Sequence, residues 1–130
     1  MIPVVSPEEM GAVDREAPED VSVLVGRAGA GVAAAARQLL RRRSGGVYGR
    51  RVVVVAGGGH NGADGRAAAA ALVERGARIT VMEASDLGPG QRLPDADLVI
   101  DAAYGTGLSR TYRAPDPGAA AVLAVDIPSG

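Results

Sequence analysis

Four consecutive valines, an alanine and three glycines, residues 52–59, constrain the fold of this chain more than any other feature. An unbroken run of β-branched residues indicates a strand that is buried on both faces, as in a parallel sheet. Glycines directly after such a strand allow a ligand or another part of the backbone to approach closely. Because parallel strands need a crossover connection, which is usually helical, this feature predicts an α/β protein.

Helical and strand patterns alternate along the rest of the chain. Apolar residues recur at helical spacing before the valine run, and an alanine-rich helical stretch follows the glycines. The predicted elements are helices at about 20–43 and 64–75, a loop at 57–63, and strands at 51–56, 78–83, 98–102 and 121–126. This order predicts a doubly wound α/β fold, a Rossmann-like three-layer sandwich with a mostly parallel sheet. The connections after Glu83 contain several prolines and glycines, which interrupt helices. We therefore expect no full helix in these connections and poor coverage of the sheet by them.

Composition excludes several classes of function. The chain has 130 residues, a formal net charge of -1, no cysteine and no lysine. The near-zero charge argues against a nucleic-acid or membrane role, and the missing residue types exclude disulfides, Schiff-base lysines and P-loop lysines. No apolar run reaches the ~20 residues of a membrane helix, and the N-terminus lacks a signal-peptide pattern. We expect one cytoplasmic domain over residues 1–130, and the abrupt end after a strand predicts a partial copy of a longer fold.

Polar side chains follow three of the predicted strands. Asn61 and Asp64 come after the first strand, Asp101 closes the third, and Asp126 closes the fourth, with Ser129 just beyond it. In a parallel sheet these positions share the carboxyl edge, where ligands bind. Hard cations prefer such oxygen ligands, so the cluster indicates a cation or substrate site. The structural alternative is that the first pair caps a helix and that the strand-end aspartates accept hydrogen bonds from loop amides.

The glycines also fit a dinucleotide-binding pattern. Gly57, Gly59 and Gly62 satisfy G-x-G-x-x-G, and Glu83 lies where that fold places the acid that binds ribose. This reading favours a fragment of an NAD-dependent dehydrogenase. Asp64 argues against it, because its carboxylate would face a diphosphate at the helix N-terminus.

Three motifs occur in succession: "GGGHNGADG" at 57–65, "DAAYGTGL" at 101–108 and "VDIPSG" at 125–130. Together they resemble the motifs of the NAD(P)HX epimerases, the family of the YjeF N-terminal domain. The resemblance implies a Rossmann-like sandwich that binds potassium and interconverts the R and S epimers of hydrated nicotinamide cofactors, NADHX and NADPHX. It also implies a fused or separate ADP/ATP-dependent dehydratase that restores the cofactor from the S epimer, and it is compatible with a homo-oligomer.

The same resemblance assigns roles to residues by motif. It implies that Asn61, Asp101 and Ser129 ligate potassium and that Asp126 contacts the substrate and acts as the catalytic acid–base group. The remaining implied substrate contacts lie in the first two motifs: His60, Asn61, Gly62, Ala63, Asp64, Gly105, Thr106, Gly107, Leu108, Ser109, Arg110 and Thr111.

Two positions depart from the family pattern. His60 stands where the family has asparagine, and Ala63 stands where it has glycine. His60 is the only histidine and could serve as an acid–base group, although a solvent-facing histidine is the simpler interpretation. An alanine held at positive φ would cost stability. These changes favour an alternative in which the chain is a non-catalytic nucleotide-binding or interaction module.

Overall fold

The computed structural model describes residues 21–103 and 114–125, with side chains from residue 29 onward. The chain forms helix α1 (Val21–Ser44), strand β1 (Arg51–Ala56), helix α2 (His60–Glu74) and strand β2 (Arg78–Glu83). A single 3-10 turn (Ala84–Asp86) precedes strands β3 (Leu98–Ala102) and β4 (Ala121–Ala124). No helix in these two described stretches is both long and apolar enough to cross a bilayer.

The four strands form one parallel sheet in the order β2-β1-β3-β4. The valine run lies at its centre: Val52 pairs with Ile79 on one side and with Leu98 on the other. This position explains why β1 has no polar face, since residues 52–56 are all buried. The predicted fold class, a Rossmann-like α/β fold with a parallel sheet, is confirmed.

Both helices contribute to the larger core, which fills one face of the sheet. The core residues come from α1, α2 and alternate positions of the strands, and they include Val32, Ala36, Leu40, Leu72, Val54, Ile100 and Leu123. Full burial of a valine, leucine or isoleucine side chain is worth roughly 1.5–3 kcal/mol relative to exposure. The helices approach closely where Gly29 faces Ala67, since a Cβ atom on Gly29 would lie 2.6 Å from the Ala67 Cβ.

The opposite face of the sheet is covered by irregular segments. Val53, Val55 and Val99 pack there against Leu93 and Ala120. The segments before β3 and before β4 hydrogen-bond to each other over this face through the backbone, including Leu93 N–H to the Asp116 carbonyl at 2.9 Å. The prediction of thin connections is confirmed for the part of each connection that the structure describes.

Two predicted boundaries were wrong. Helix α2 begins at His60, four residues earlier than predicted, so residues 60–63 form its first turn and not a loop. Their glycine and asparagine content favours a loop locally, but close packing against the strand ends stabilises the helical path. Strand β4 ends at Ala124, where its pairing with β3 ends at Asp101. Asp126, the predicted last residue of this strand, lies outside the described residues.

Candidate functional site

Hydrogen bonds join three chain segments at the carboxyl edge of the sheet. Gly57, after β1, donates its N–H to the Ala102 carbonyl at 3.0 Å. Val125, after β4, donates its N–H to the Asp101 carbonyl at 2.9 Å. The Asn61 side-chain amide, on the first turn of α2, donates to the Val125 carbonyl at 3.2 Å and is buried. The ends of β1, β3 and β4 and the start of α2 therefore form one connected edge, as the sequence predicts.

The glycines of the first motif divide into two groups by what surrounds them. A Cβ atom on Gly57 would lie 2.0 Å from the Ala103 carbonyl oxygen, and one on Gly62 would lie 1.8 Å from the Gly57 carbonyl oxygen. Gly65 is restricted in the same way by the side chain of Ala102, at 2.6 Å. Gly57 and Gly62 allow backbone segments to approach closely, and Gly65 allows α2 to pack against side chains of β1 and β3.

Gly58 and Gly59 form the second group. Among the described residues, none beyond the chain neighbours would lie within 4 Å of a Cβ atom on either, and neither has positive φ. Both residues are exposed between β1 and α2. As far as the described residues go, these are the two glycines of the motif whose surroundings leave room for a ligand to approach the backbone.

The first turns of α2 place the other residues of the motif. The N-cap residue is Gly59, so the hypothesis that Asn61 or Asp64 occupies the cap position was wrong. Asn61 and Asp64 are buried, with 7% and 1% of their surface exposed. His60 is exposed on the first turn. Ala63 is helical, and no non-glycine residue of the described chain has positive φ, so the alanine carries no backbone cost of that kind.

Asp101 is a partly buried carboxylate at the end of β3. Its Oδ1 accepts a hydrogen bond from the Ala103 N–H at 3.2 Å. Burial raises the pKa of Asp101 above its ordinary value, and the hydrogen bond from Ala103 opposes this effect only in part. A cation beside the carboxylate would offset the penalty that burial places on its charged form.

Two described side chains with oxygen atoms, Asn61 and Asp101, lie at this edge. The Asn61 Nδ2 group is engaged by Val125, which leaves its Oδ1 as an acceptor with no hydrogen bond from the described part of the chain. Asp101 adds carboxylate oxygen to the same edge. Amide and carboxylate oxygens are the ligands that potassium-like cations accept.

A groove of about 100 Å³ reaches Asp101 from the face of the sheet opposite α1 and α2. Its walls are apolar side chains from the sheet and the two connecting segments, and Asp101 is the one charged residue among them. The residues that line it are Val55, Leu93, Val99, Asp101, Ala114, Pro115, Pro117 and Val122.

One pair of polar residues was missed by the sequence analysis. The Arg66 guanidinium, on α2, contacts the Glu83 carboxylate at the end of β2 through Nη2, at 2.6 and 2.7 Å. Its Nη1 donates to the Gly57 carbonyl at 3.0 Å. Two sequence signals could have revealed the pair: Arg66 stands two positions after Asp64, and Glu83 ends the next strand. The carboxylate that the dehydrogenase interpretation assigns to the ribose is thus engaged by Arg66.

Several predicted site residues lie outside the described stretches. They are the middle-motif residues 105–111, the proposed catalytic residue Asp126 and the proposed potassium ligand Ser129. Their roles remain predictions, as do those of His60, Asn61, Ala63, Asp64 and Asp101.

The parallel sheet and its helices place the protein in the Rossmann-like α/β class, in which ligands commonly bind beyond the carboxyl ends of the strands. The family model described as "YjeF-related protein N-terminus" matches residues 21–93, more than half of the chain, and the chain belongs to this family. Comparison with curated proteins found no match.

Proposed function

We propose that this protein is an NAD(P)HX epimerase, which interconverts the R and S epimers of hydrated NADH and NADPH. Family membership carries the proposal, and the geometry of the carboxyl edge supports it. That edge combines an open glycine pair, two buried polar side chains on α2 and the partly buried Asp101. We further propose that the reaction takes place in the cytoplasm, with an ADP/ATP-dependent dehydratase using the S epimer.

In this proposal, substrate contacts come from residues 60–64 of α2 and from residues 105–111 of the middle motif. The exposed Gly58 and Gly59 let the substrate approach the backbone before α2 begins. Asn61, Asp101 and Ser129 would hold potassium, whose positive charge would stabilise the ionised carboxylate and anionic parts of the substrate. The buried Asn61 amide is oriented for this role by its hydrogen bond to Val125.

Asp126 is the proposed acid–base group. Epimerisation at the hydrated carbon requires either departure and return of the hydroxyl group or opening and closing of the ring. Both routes transfer a proton to or from oxygen or nitrogen, and a positioned carboxylate contributes about 10²–10⁴-fold to such a step. Asp126 directly follows Val125, the residue that Asn61 and Asp101 hold at this edge.

The decisive measurement is conversion of R-NADHX to the S epimer by the full chain, followed by chromatography of both epimers. We expect Asp126→Asn to lower the rate by at least about a hundredfold while the melting curve is retained. Asp95→Asn is the matched control, because Asp95 is 79% exposed and precedes β3 at the other edge of the sheet. Equal rates in the Asp126 variant and the control would remove Asp126 from the mechanism.

The alternatives make different predictions. A non-catalytic module would bind the nucleotide without turnover, and the helical position of Ala63 removes one argument for that reading. A dehydrogenase fragment would bind unmodified NAD without potassium and would use Glu83 for the ribose. The Arg66–Glu83 ion pair weighs against the dehydrogenase alternative, because it engages the carboxylate that would bind the ribose.

A further inference from the structure

Arg66 connects three parts of the molecule through one side chain. It belongs to the second turn of α2, its Nη2 contacts both carboxylate oxygens of Glu83 on β2, and its Nη1 donates to the Gly57 carbonyl. The ion pair is partly exposed, with 41% of the Arg66 side chain and 50% of the Glu83 side chain accessible. An exposed pair of this kind contributes only about 0–1 kcal/mol to stability. Stability alone therefore gives little reason for this arrangement.

The contact with Gly57 has a geometric consequence for the next residue. The Gly57 carbonyl and the Gly58 N–H belong to one planar trans peptide, so fixing the direction of the oxygen fixes the opposite direction of the N–H. The Gly57 N–H is also fixed, by its hydrogen bond to Ala102. Within the described part of the chain, no residue accepts a hydrogen bond from the Gly58 N–H, and none beyond its chain neighbours lies within 4 Å of its Cβ position.

We propose that Arg66 is a positioning residue that orients the Gly57–Gly58 peptide toward the substrate, with Glu83 holding the guanidinium in place. This inference rests on the proposed function, because it assumes that the substrate reaches the exposed glycines. Misplacing a contact by about 1 Å can cost as much as a hundredfold in rate, so a weak ion pair can matter more for activity than for stability.

The test compares full-length variants. Arg66→Met removes both contacts, and Arg66→Lys keeps the charge and can reach one acceptor at a time. Glu83→Gln removes the ion pair but leaves the Gly57 contact available. Arg78→Met is the matched control, because Arg78 is an exposed arginine at the far end of β2.

Two measurements are made on each variant: the ¹⁵N order parameter of the Gly58 amide, and kcat and KM for epimerisation. We expect Arg66→Met to lower the order parameter and to reduce kcat/KM about ten- to a hundredfold, mainly through KM. Arg66→Lys should recover part of both losses, Glu83→Gln should show a smaller loss, and Arg78→Met should match the parent. The melting temperature of Arg66→Met should stay close to that of the control.

Each outcome decides a separate question. An unchanged Gly58 order parameter in Arg66→Met would overturn the inference, as would a lowered order parameter with unchanged kcat/KM. A parent protein that does not interconvert the epimers would overturn the proposed function. The order parameter needs no substrate, so it would still show whether Arg66 holds the peptide.

Discussion

Individual glycines have separable roles at the junction of β1 and α2. Gly62 leaves no space for a side chain, because a Cβ atom would lie 1.8 Å from the Gly57 carbonyl oxygen. Gly58 stands four residues earlier, where no described residue beyond its chain neighbours lies within 4 Å of its Cβ position, and its φ is not positive. The sequence motif treats both as the same residue type, but the structure gives them different reasons to be glycine.

Alanine substitution at these two positions should therefore have different effects on stability. We expect Gly62→Ala to lower the free energy of unfolding by about 1–3 kcal/mol, because neighbouring backbone must move to accept the methyl group. Gly58→Ala should change it by less than about 0.5 kcal/mol. It should still weaken substrate binding if the substrate approaches the backbone there. Urea unfolding of both variants measures the first effect, and similar losses in the two would contradict this account.

At the scale of elements, α1 and α2 pack at a distance set by small residues. Gly29 on α1 faces Ala67 on α2, and a Cβ atom on Gly29 would lie 2.6 Å from that of Ala67 and 3.3 Å from the Asp64 carbonyl oxygen. The separation of the helices affects the site as well as the core, because the turn of α2 that carries Asp64 also carries Ala67.

A double-mutant cycle can test this packing. Alanine has a higher helix propensity than glycine by about 0.5–1 kcal/mol, which favours Gly29→Ala, but overpacking should cost about 1–3 kcal/mol. We therefore expect a net loss of stability. Adding Ala67→Gly should restore much of it, because the second change makes room for the new methyl group. Thermal unfolding of the parent, both single variants and the double variant gives the coupling, and simple additivity would show that the helices do not meet there.

The sequence predicted strands better than it predicted helix α2. Strands β1, β2 and β3 were predicted at their observed boundaries, because a buried parallel strand reads as an apolar run ended by polar residues or glycine. The start of α2 was missed, since "HNGADG" has poor helix propensity and its path depends on the packing of Gly62 and Gly65 against strand ends. The Arg66–Glu83 pair was missed because its partners lie on different elements, 17 residues apart.

For the site, the sequence likewise predicted which residues share an edge of the sheet but not their individual hydrogen bonds. The common edge followed from parallel topology, and the structure confirms it for Asn61 and Asp101. The Asn61 side-chain amide donates to the Val125 carbonyl, and the main-chain carbonyl of Asp101 accepts from the Val125 N–H. The particular hydrogen bond from Asn61 to a main-chain carbonyl could not be predicted, because it depends on the helical position of Asn61.

For the molecule as a whole, stability should depend on pH and potassium through Asp101. Burial raises the pKa of Asp101 above its ordinary 3.8, so between the two values the folded state binds more protons than the unfolded state. The contribution of Asp101 to the free energy of unfolding therefore falls as pH rises between these two pKa values. Below the ordinary pKa the carboxyl group is protonated in both states, so burial of its charge costs no stability there. Without potassium, the stability of the parent relative to Asp101→Asn should decrease as pH rises from about 3.

Potassium should counteract this loss. A cation that binds only the folded state stabilises it by mass action, so added potassium should raise the parent's melting temperature at neutral pH more than that of Asp101→Asn. The control is a bulky organic cation at matched ionic strength. Identical melting temperatures in the two salts would count against the cation site, and a pH-independent difference between parent and variant would contradict the role of burial.

The two groups of glycines should tolerate substitution differently in a screen for folding and in a screen for activity. In a library of random variants, a screen for folded protein should reject side chains at Gly57, Gly62 and Gly65, because their Cβ positions are filled by other atoms. The same screen should accept many residues at Gly58 and Gly59. A screen for turnover should reject changes at all five positions. The difference between the two screens would thus outline the ligand's footprint on the glycine turn without any bound complex.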